Sequence, residues 1–269
     1  MKTDDFSVKK QFSRAANTYN DSAALQLRIC VELLEMFRVQ RAPETILELG
    51  SGTGLLTRLL RQAFPFALIH ALDISEKMLE VARSELNDDR NIEWLCCDAR
   101  YFTSLSRYDL IVSASAIHWM SPLAELFGNL QKLLAKGGVF LFSLMTSGTL
   151  AELRTVRERV APDKMPVGKI PSFQTVCDAL VAKGLDIASC RQVSYKEYYR
   201  NAQAFVDSLR NLGVNSGEFS RSVKPLSKNE VVDIIELYQQ MYIEKDGTVG
   251  ASFEVGYFEA YLKTKAPNK

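Results

Sequence analysis

The sequence has little histidine or tryptophan, two residues of each, and no apolar run long enough to cross a bilayer. Its longest such runs, Val139 to Met145 among them, reach strand length, well short of the ~20 residues of a membrane span. A cysteine framework is also missing. The five cysteines, Cys30, Cys96, Cys97, Cys177 and Cys190, are odd in number and contain no C-x-x-C pair, which argues against a disulfide scaffold or a zinc site. They read as reduced, mostly buried thiols, and no metal is expected. Excess charge is absent too: 33 basic residues nearly cancel 32 acidic ones, so no global field draws the chain to nucleic acid or to an anionic membrane. The first residues, MKTDDFSVKKQFSRAANTY, carry charge throughout and lack the apolar centre of a signal peptide. A soluble, cytoplasmic protein is the expectation.

What is present is a chain of 269 residues, 47% hydrophobic, enough to bury a substantial core as one large domain or a domain with an insertion. From Ser22 to Phe37 apolar residues recur at helical spacing. Then short β-rich runs alternate with helical patterns: strands over Thr45 to Leu49, Ala67 to Asp73, Ile92 to Cys97, Tyr108 to Ala114 and Gly138 to Leu144, with helices over Leu55 to Ala63, Glu76 to Leu86 and Leu123 to Leu134. Nearly continuous apolar strands separated by helices specify a parallel sheet covered on both faces, a doubly wound α/β core. After Met145 the pattern turns helical over Thr149 to Val160, Ser172 to Lys183, Ala202 to Leu212 and Lys228 to Tyr242. Strand-like runs over Ile187 to Tyr199 and Ser252 to Leu262 read as late strands that complete the sheet, with the helices between them forming a cap. The stretch Ala161 to Pro171, with three prolines and one glycine, is the expected hinge or lid.

Chemistry concentrates at Glu48-Leu49-Gly50-Ser51-Gly52-Thr53-Gly54, between the first strand and the first core helix. Glycine there permits positive φ and close backbone approach to a ligand, and the carboxyl ends of strands near the first crossover of an open sheet are where ligands bind. Register discriminates among the possible ligands. A dinucleotide fingerprint needs G-x-G-x-x-G, and Leu55 stands where the third glycine would fall. No Gly-Lys-Ser/Thr follows, so a phosphate loop does not fit either. Asp73 closes the second strand 19 positions beyond Gly54, where a carboxylate can accept both hydroxyls of a ribose.

With Glu48 before the loop and Asp73 after it, the segment Thr45 to Met145 resembles class I S-adenosylmethionine methyltransferases, whose first motif is an acid-x-G-x-G-x-G loop. The resemblance implies a Rossmann-like, doubly wound seven-stranded sheet with a helical cap inserted late in the chain. It implies that Gly50, Ser51, Gly52, Gly54 and nearby main-chain groups approach the methionine part of S-adenosylmethionine, the product being S-adenosylhomocysteine, and that Asp73 holds the ribose. Ile74 would then lie against the adenine, Asp98 in Cys97-Asp98-Ala99 would accept the adenine amino group, and Ser113 would line the floor beneath the methyl group. Read alone, Asp98 is equally a strand-end turn residue or a helix N-cap. His70 lies within a strand and reads as structural. His118, in Ala116-Ile117-His118-Trp119 after the fourth strand, could reach the site.

Outside that core, Phe12-Ser13-Arg14-Ala15-Ala16 with Tyr19 and Gln26, Trp119, Leu144 to Leu153, and Ser208-Leu209-Arg210-Asn211-Leu212-Gly213 look like the malonyl-acyl-carrier-protein O-methyltransferases of biotin synthesis. The similarity runs over nearly the whole chain. It divides the sequence into an amino-terminal helical segment covering the cofactor (1–42), a cofactor-binding core (43–146), a late strand with a helical cap (147–250) and a final strand (251–269). It implies methylation of the free carboxylate of a malonyl thioester, carried by acyl carrier protein or coenzyme A. A carboxylate is already ionised at neutral pH and needs orientation and desolvation, not a base. Arginine is its natural partner; Arg14 and Arg210 are the first candidates, with Arg154 and Arg200 behind them. Arg154, Arg157, Arg159, Lys164 and Lys169 could dock an acidic carrier, or form a solvated face among Glu152, Glu158 and Asp163. Two alternatives stay open: a methyltransferase for another small acceptor, such as aconitate or a quinone precursor, and a silent cofactor-binding module.

Overall fold

A computed structural model describes residues 3–38, 41–86, 89–166, 170–214 and 224–263. The helices are α1 (Thr3–Ala15), α2 (Tyr19–Ser22), α3 (Ala24–Met36), α4 (Leu55–Ala63), α5 (Glu76–Glu85), α6 (Leu123–Leu133), α7 (Ala151–Val160), α8 (Phe173–Ala182), α9 (Ala202–Asn211) and α10 (Lys228–Tyr242). The strands are β1 (Thr45–Leu49), β2 (Leu68–Asp73), β3 (Ile92–Cys96), β4 (Tyr108–Ala114), β5 (Leu134–Met145), β6 (Leu185–Tyr199) and β7 (Val249–Leu262). They form one seven-stranded sheet in the order β3-β2-β1-β4-β5-β7-β6, so the two late runs do complete the sheet as the sequence suggested. β1 pairs in parallel with both β2 and β4, β2 with β3, and β4 with β5.

The chain moves outward from β1 through β2 to β3, then returns to place β4 on the other side of β1. That reversal is the switch point at which an open α/β sheet leaves a crevice beyond its strand ends. β5 starts at Leu134, four residues earlier than the apolar run indicates. The early part passes through Gly137 and Gly138, where the β4–β5 register shifts between Tyr108 and Leu110, and a Cβ at Gly138 would stand 2.7 Å from the Tyr108 carbonyl.

The chain forms two compact units. One comprises Ala23–Leu144, Phe173–Gln192 and Gly256–Lys269. Its core is aromatic: Phe140 stacks on Phe142 at 4.4 Å and Phe142 on Phe258 at 5.0 Å between ring centroids. The hydrophobic effect sets this core, with offset stacking adding a smaller contribution. The other comprises Met1–Ser22, Met145–Ser172 and Val193–Val255. There Phe205 packs on Tyr238 at 4.9 Å, and the buried Tyr238 hydroxyl donates to the Gly250 carbonyl at 2.8 Å. A capping box starts α10, in which the Ser227 hydroxyl accepts from the Glu230 N–H and the Glu230 carboxylate accepts from the Ser227 N–H. Among the described residues no helix is long and apolar enough to cross a membrane. None of the cysteines is disulfide-bonded, but only Cys30 is buried; Cys96 and Cys190 are exposed, because both lie on peripheral strands, which corrects the expectation of mostly buried thiols.

Candidate functional site

In the first unit, the turn between β1 and α4 holds Gly50, Gly52 and Gly54 at φ of 69°, 55° and 83°, the left-handed region that only glycine enters cheaply. The three glycines differ in surroundings. A Cβ on Gly50 would lie 2.4 Å from the Ala116 Cβ, and one on Gly54 3.2 Å from both Ala82 and Leu86, whereas one on Gly52 would meet nothing within 4 Å. Gly50 and Gly54 therefore let protein pack against the turn, and Gly52 presents an open face. The Gly50–Ala116 approach brings together the loops after β1 and after β4, the two that flank the switch point.

Asp73, at the end of β2, pins the turn. One of its carboxylate oxygens accepts the Gly52 N–H at 2.9 Å and the other the Ser75 N–H at 2.8 Å. A carboxylate has about four acceptor positions, so two remain for a diol. Desolvation raises the Asp73 pKa to about 6, with these backbone hydrogen bonds opposing the rise.

Glu48 is buried on β1, with one oxygen accepting the Thr57 hydroxyl at 2.6 Å. Its other oxygen makes no hydrogen bond, and neither do the buried Ser51 Oγ, Ser115 Oγ and Gln26 Oε1. Native proteins rarely leave such atoms unmatched. Burial first, and the neighbouring Asp73 charge to a smaller degree, push the Glu48 pKa up to about 8. The turn thus combines an acceptor pair on Asp73, an open glycine and unpaired polar atoms on Glu48 and Ser51, a donor and acceptor set that fits a polar nucleoside-type cofactor.

Asp98 follows β3 and caps the 3₁₀ turn Ala99–Tyr101, accepting the Arg100 N–H at 3.0 Å. Ala99 is buried and Ile74 half-buried. Ser113, fully buried, donates its hydroxyl to the Leu49 carbonyl at 2.8 Å, tying β4 to β1. His118 is buried beside Trp119, its ring 5.2 Å from the indole, and desolvation lowers its pKa to about 3. It is therefore neutral at pH 7 and a poor proton acceptor. His70 is structural, with Nδ1 2.7 Å from the Tyr108 hydroxyl and Nε2 3.1 Å from Glu93. Among the described residues no group of three or more His, Cys, Asp or Glu could hold a metal ion.

The arginine candidates and Tyr19 all belong to the second unit. Tyr19, half-buried, begins α2. The α1 and α9 ends meet, because Gly213 at φ 70° leaves room for Ala15, whose Cβ would stand 3.2 Å from an added Cβ, and the Thr18 hydroxyl reaches the Asn211 carbonyl at 3.3 Å. The segments carrying Arg14 and Arg210 are thereby brought together, and both side chains are exposed. Arg210 pairs with Asp207 at 2.8 Å. Arg154 is committed to the carbonyls of Ser147 and Thr149, at 2.8 and 3.2 Å, while Arg200 is exposed. Of the basic cluster, Arg157 donates to the Lys164 carbonyl, Lys164 pairs with Glu230 and Arg159 contacts Met241. Much of that cluster thus holds its own unit together. Lys169, like 167–169 of the expected lid, lies outside the described residues.

Sequence reasoning missed Thr57, Arg100 and Ser115. Thr57 sits nine residues beyond Glu48, a pairing with no motif. Arg100 follows Asp98 at the spacing of an N-cap and its second helical residue, a signal that was available. Ser115 takes φ 55°, which no residue type announces for serine.

Residues 47–140 match the family model described as a methyltransferase domain. The malonyl-[acyl-carrier protein] O-methyltransferase of Anoxybacillus flavithermus is 31% identical over 251 residues, covering 91% of this chain and 93% of that protein. The protein of the same name from Acetivibrio thermocellus is 28% identical, covering 96% and 94%. Among solved structures, the YcgJ protein of Bacillus subtilis aligns with TM-score 0.62 at 14% identity over 89% of this chain and 99% of that one. Haemonchus contortus phosphoethanolamine N-methyltransferase 2, solved with S-adenosyl-L-methionine, aligns with TM-score 0.59 at 16% identity over 94% and 57%. These two likenesses concern the fold.

Proposed function

The chain belongs to the malonyl-[acyl-carrier protein] O-methyltransferases, and on that premise we propose that it esterifies the free carboxylate of a malonyl thioester on acyl carrier protein, an early step of biotin synthesis. It is an S-adenosylmethionine-dependent methyltransferase. When bound, S-adenosylmethionine supplies a methyl group made electrophilic by its sulfonium sulfur. Asp73 would take the ribose with its two remaining acceptor positions, Asp98 the adenine amino group, and Ile74 the adenine face. Gly50, Gly52, Gly54 and the main chain around Ser51 would hold the methionine part, with Glu48 supporting the turn from below and Gln26 contributing from α3. Ser113 would support the floor through its bond to Leu49.

Alignment at near-attack distance supplies much of the rate in such a transfer, and the acceptor decides whether a base is also required. The observation that carries the carboxyl reading is His118. With a pKa of about 3 it is too weak to deprotonate a phenol, and a malonyl carboxylate needs no deprotonation. Arg14 and Arg210 are the proposed partners of that carboxylate, since the exposed Arg210–Asp207 pair is weak enough to exchange for a substrate anion. The test is methyl transfer to malonyl-acyl-carrier protein, malonyl-coenzyme A, free malonate, aconitate and a phenolic quinone precursor in parallel. Methyl ester formed fastest on a malonyl thioester supports the reading. Faster turnover of aconitate or the phenol overturns it, and no turnover of any acceptor with intact cofactor binding points to a silent module.

A further inference from the structure

We infer that Arg100 is a positioning residue that fixes the Asp98 carboxylate as a single-acceptor reader of a 6-aminopurine, and so sets the base specificity of the cofactor site. The inference rests on the reading that Asp98 meets the adenine amino group.

Arg100 grips Asp98 from the same turn. Its Nε lies 3.0 Å from Oδ1 and 3.2 Å from Oδ2, its Nη2 2.6 Å from Oδ2, and its backbone N–H donates to Oδ1 at 3.0 Å. The pair is largely shielded, with 13% of the Arg100 side chain and 19% of the Asp98 side chain exposed. Such a fork fixes the plane of the carboxylate as well as its charge. The guanidinium is itself fixed: Nη1 reaches the Ser121 carbonyl at 3.3 Å, and the plane lies 5.3 Å from the Tyr101 ring centroid. The Arg100 carbonyl accepts from the Asn129 amide of α6 at 2.8 Å. The turn after β3 is thereby anchored to the loop after β4 and to α6.

Acceptor counting makes the arrangement specific. Three N–H groups make four contacts: Oδ1 takes the Arg100 N–H and the shorter Nε contact, and Oδ2 takes Nη2 and the longer, shared 3.2 Å contact from Nε. Of the roughly four positions, the one on Oδ2 that Nε only shares is therefore open to a further N–H. Asp73, with two backbone donors, keeps two for a diol, and Asp98 keeps one for a single N–H. Facing the arginine donors, the Asp98 carboxylate presents acceptors. A 6-oxopurine, which presents an acceptor at the same place, would set two oxygens against each other.

The test compares binding of S-adenosylhomocysteine with binding of its 6-oxo analogue, S-inosylhomocysteine, by calorimetry. The unmodified protein should prefer the amino compound by about 10-fold or more, as for hydrogen bonds to charged groups. Arg100→Met, which keeps the length of the stem, should reduce that preference to about 3-fold or less, and Arg100→Lys should restore only part of it because an ammonium cannot hold both oxygens in a plane. Thermal melts of each variant report on folding, which a change in the amino-to-oxo ratio does not follow. Asp98→Ala separates the role of Asp98 from that of Arg100. If the preference survives in Asp98→Ala, the reading of Asp98 is wrong. If it vanishes there but persists in Arg100→Met, the positioning role of Arg100 is wrong. Tighter binding of S-adenosylhomocysteine by Arg100→Met also overturns the inference, since Arg100 would then be competing with the base.

Discussion

The unit carrying the glycine turn and the unit carrying the arginines treat their polar groups in opposite ways. In the first, Glu48, Ser51, Ser115 and Gln26 each keep a buried atom without a hydrogen bond, whereas positive φ occurs in both units, at Leu150 of the second as at Ser115 of the first. In the second, Arg154, Arg157 and Lys164 spend their donors on carbonyls and carboxylates of their own unit, and Arg14 and Arg210 are exposed. Unmatched buried groups persist only where the surroundings compel them. The first unit thus carries the unmatched groups that suit the proposed cofactor site, and the second a surface whose charges are mostly satisfied or in water.

The sharpest way to break this contrast is inside the turn itself. Gly50→Ala should destabilise the protein by about 2–5 kcal/mol, the sum of a left-handed φ penalty and overpacking against Ala116, read as a lowered urea midpoint. Gly52→Ala, with open space around it, should cost only about 1–2 kcal/mol of stability but weaken cofactor binding. Equal stability losses at the two positions would refute the distinction between packing glycine and ligand-facing glycine.

Asp73→Ala should weaken S-adenosylmethionine binding by about 1.5–3 kcal/mol, the range for hydrogen bonds to a charged group. Calorimetry showing unchanged affinity would remove Asp73 from the site.

Two pH profiles probe the buried groups with opposite signs. The folded-state pKa of Glu48 is raised from 4.5 to about 8, so the folded protein binds more protons than the unfolded chain between those values. Its contribution to stability therefore falls as pH rises from 4.5 to 8, by on the order of a few kcal/mol, and Glu48→Gln should flatten that slope. His118 is the reverse: its folded pKa is lowered from 6.5 to about 3, so stability is lost as pH falls from 6.5 toward 3, and His118→Asn should lessen the loss. Urea unfolding from pH 4 to 9 measures both.

In the other unit the effects should be smallest. Arg14→Ala and Arg210→Ala should change stability by no more than about 0.5 kcal/mol, as for exposed sites, leave cofactor affinity intact and raise the acceptor KM. If neither raises it, another group meets the carboxylate.

Much of the core was legible because each strand is a compact apolar run and each helix keeps its period. The edges of β1, α4, β4 and α10 are where the pattern places them. β5 was read short because Ala135 to Gly138 has no apolar signature, and its pairing depends on Gly138 fitting against the Tyr108 carbonyl. Periodicity did not mark α1, because its residues are mostly polar and its described partners, such as Gly213 against Ala15, lie far along the chain; only the family resemblance made 1–42 a helical segment.

The site divides in the same way. Local order along the chain is enough to specify the glycine turn, Asp73 two elements later and Asp98 after the third strand, because turn geometry and strand ends depend on neighbours a few residues away. The acceptor counts on those acids, the Arg100 fork, the unpaired oxygen of Glu48 and the depressed basicity of His118 are properties of three-dimensional burial. Hydrogen-bond partners and desolvation come from residues distant in sequence, so only the tertiary structure decided how many acceptor positions each carboxylate keeps and whether the histidine can act as a base.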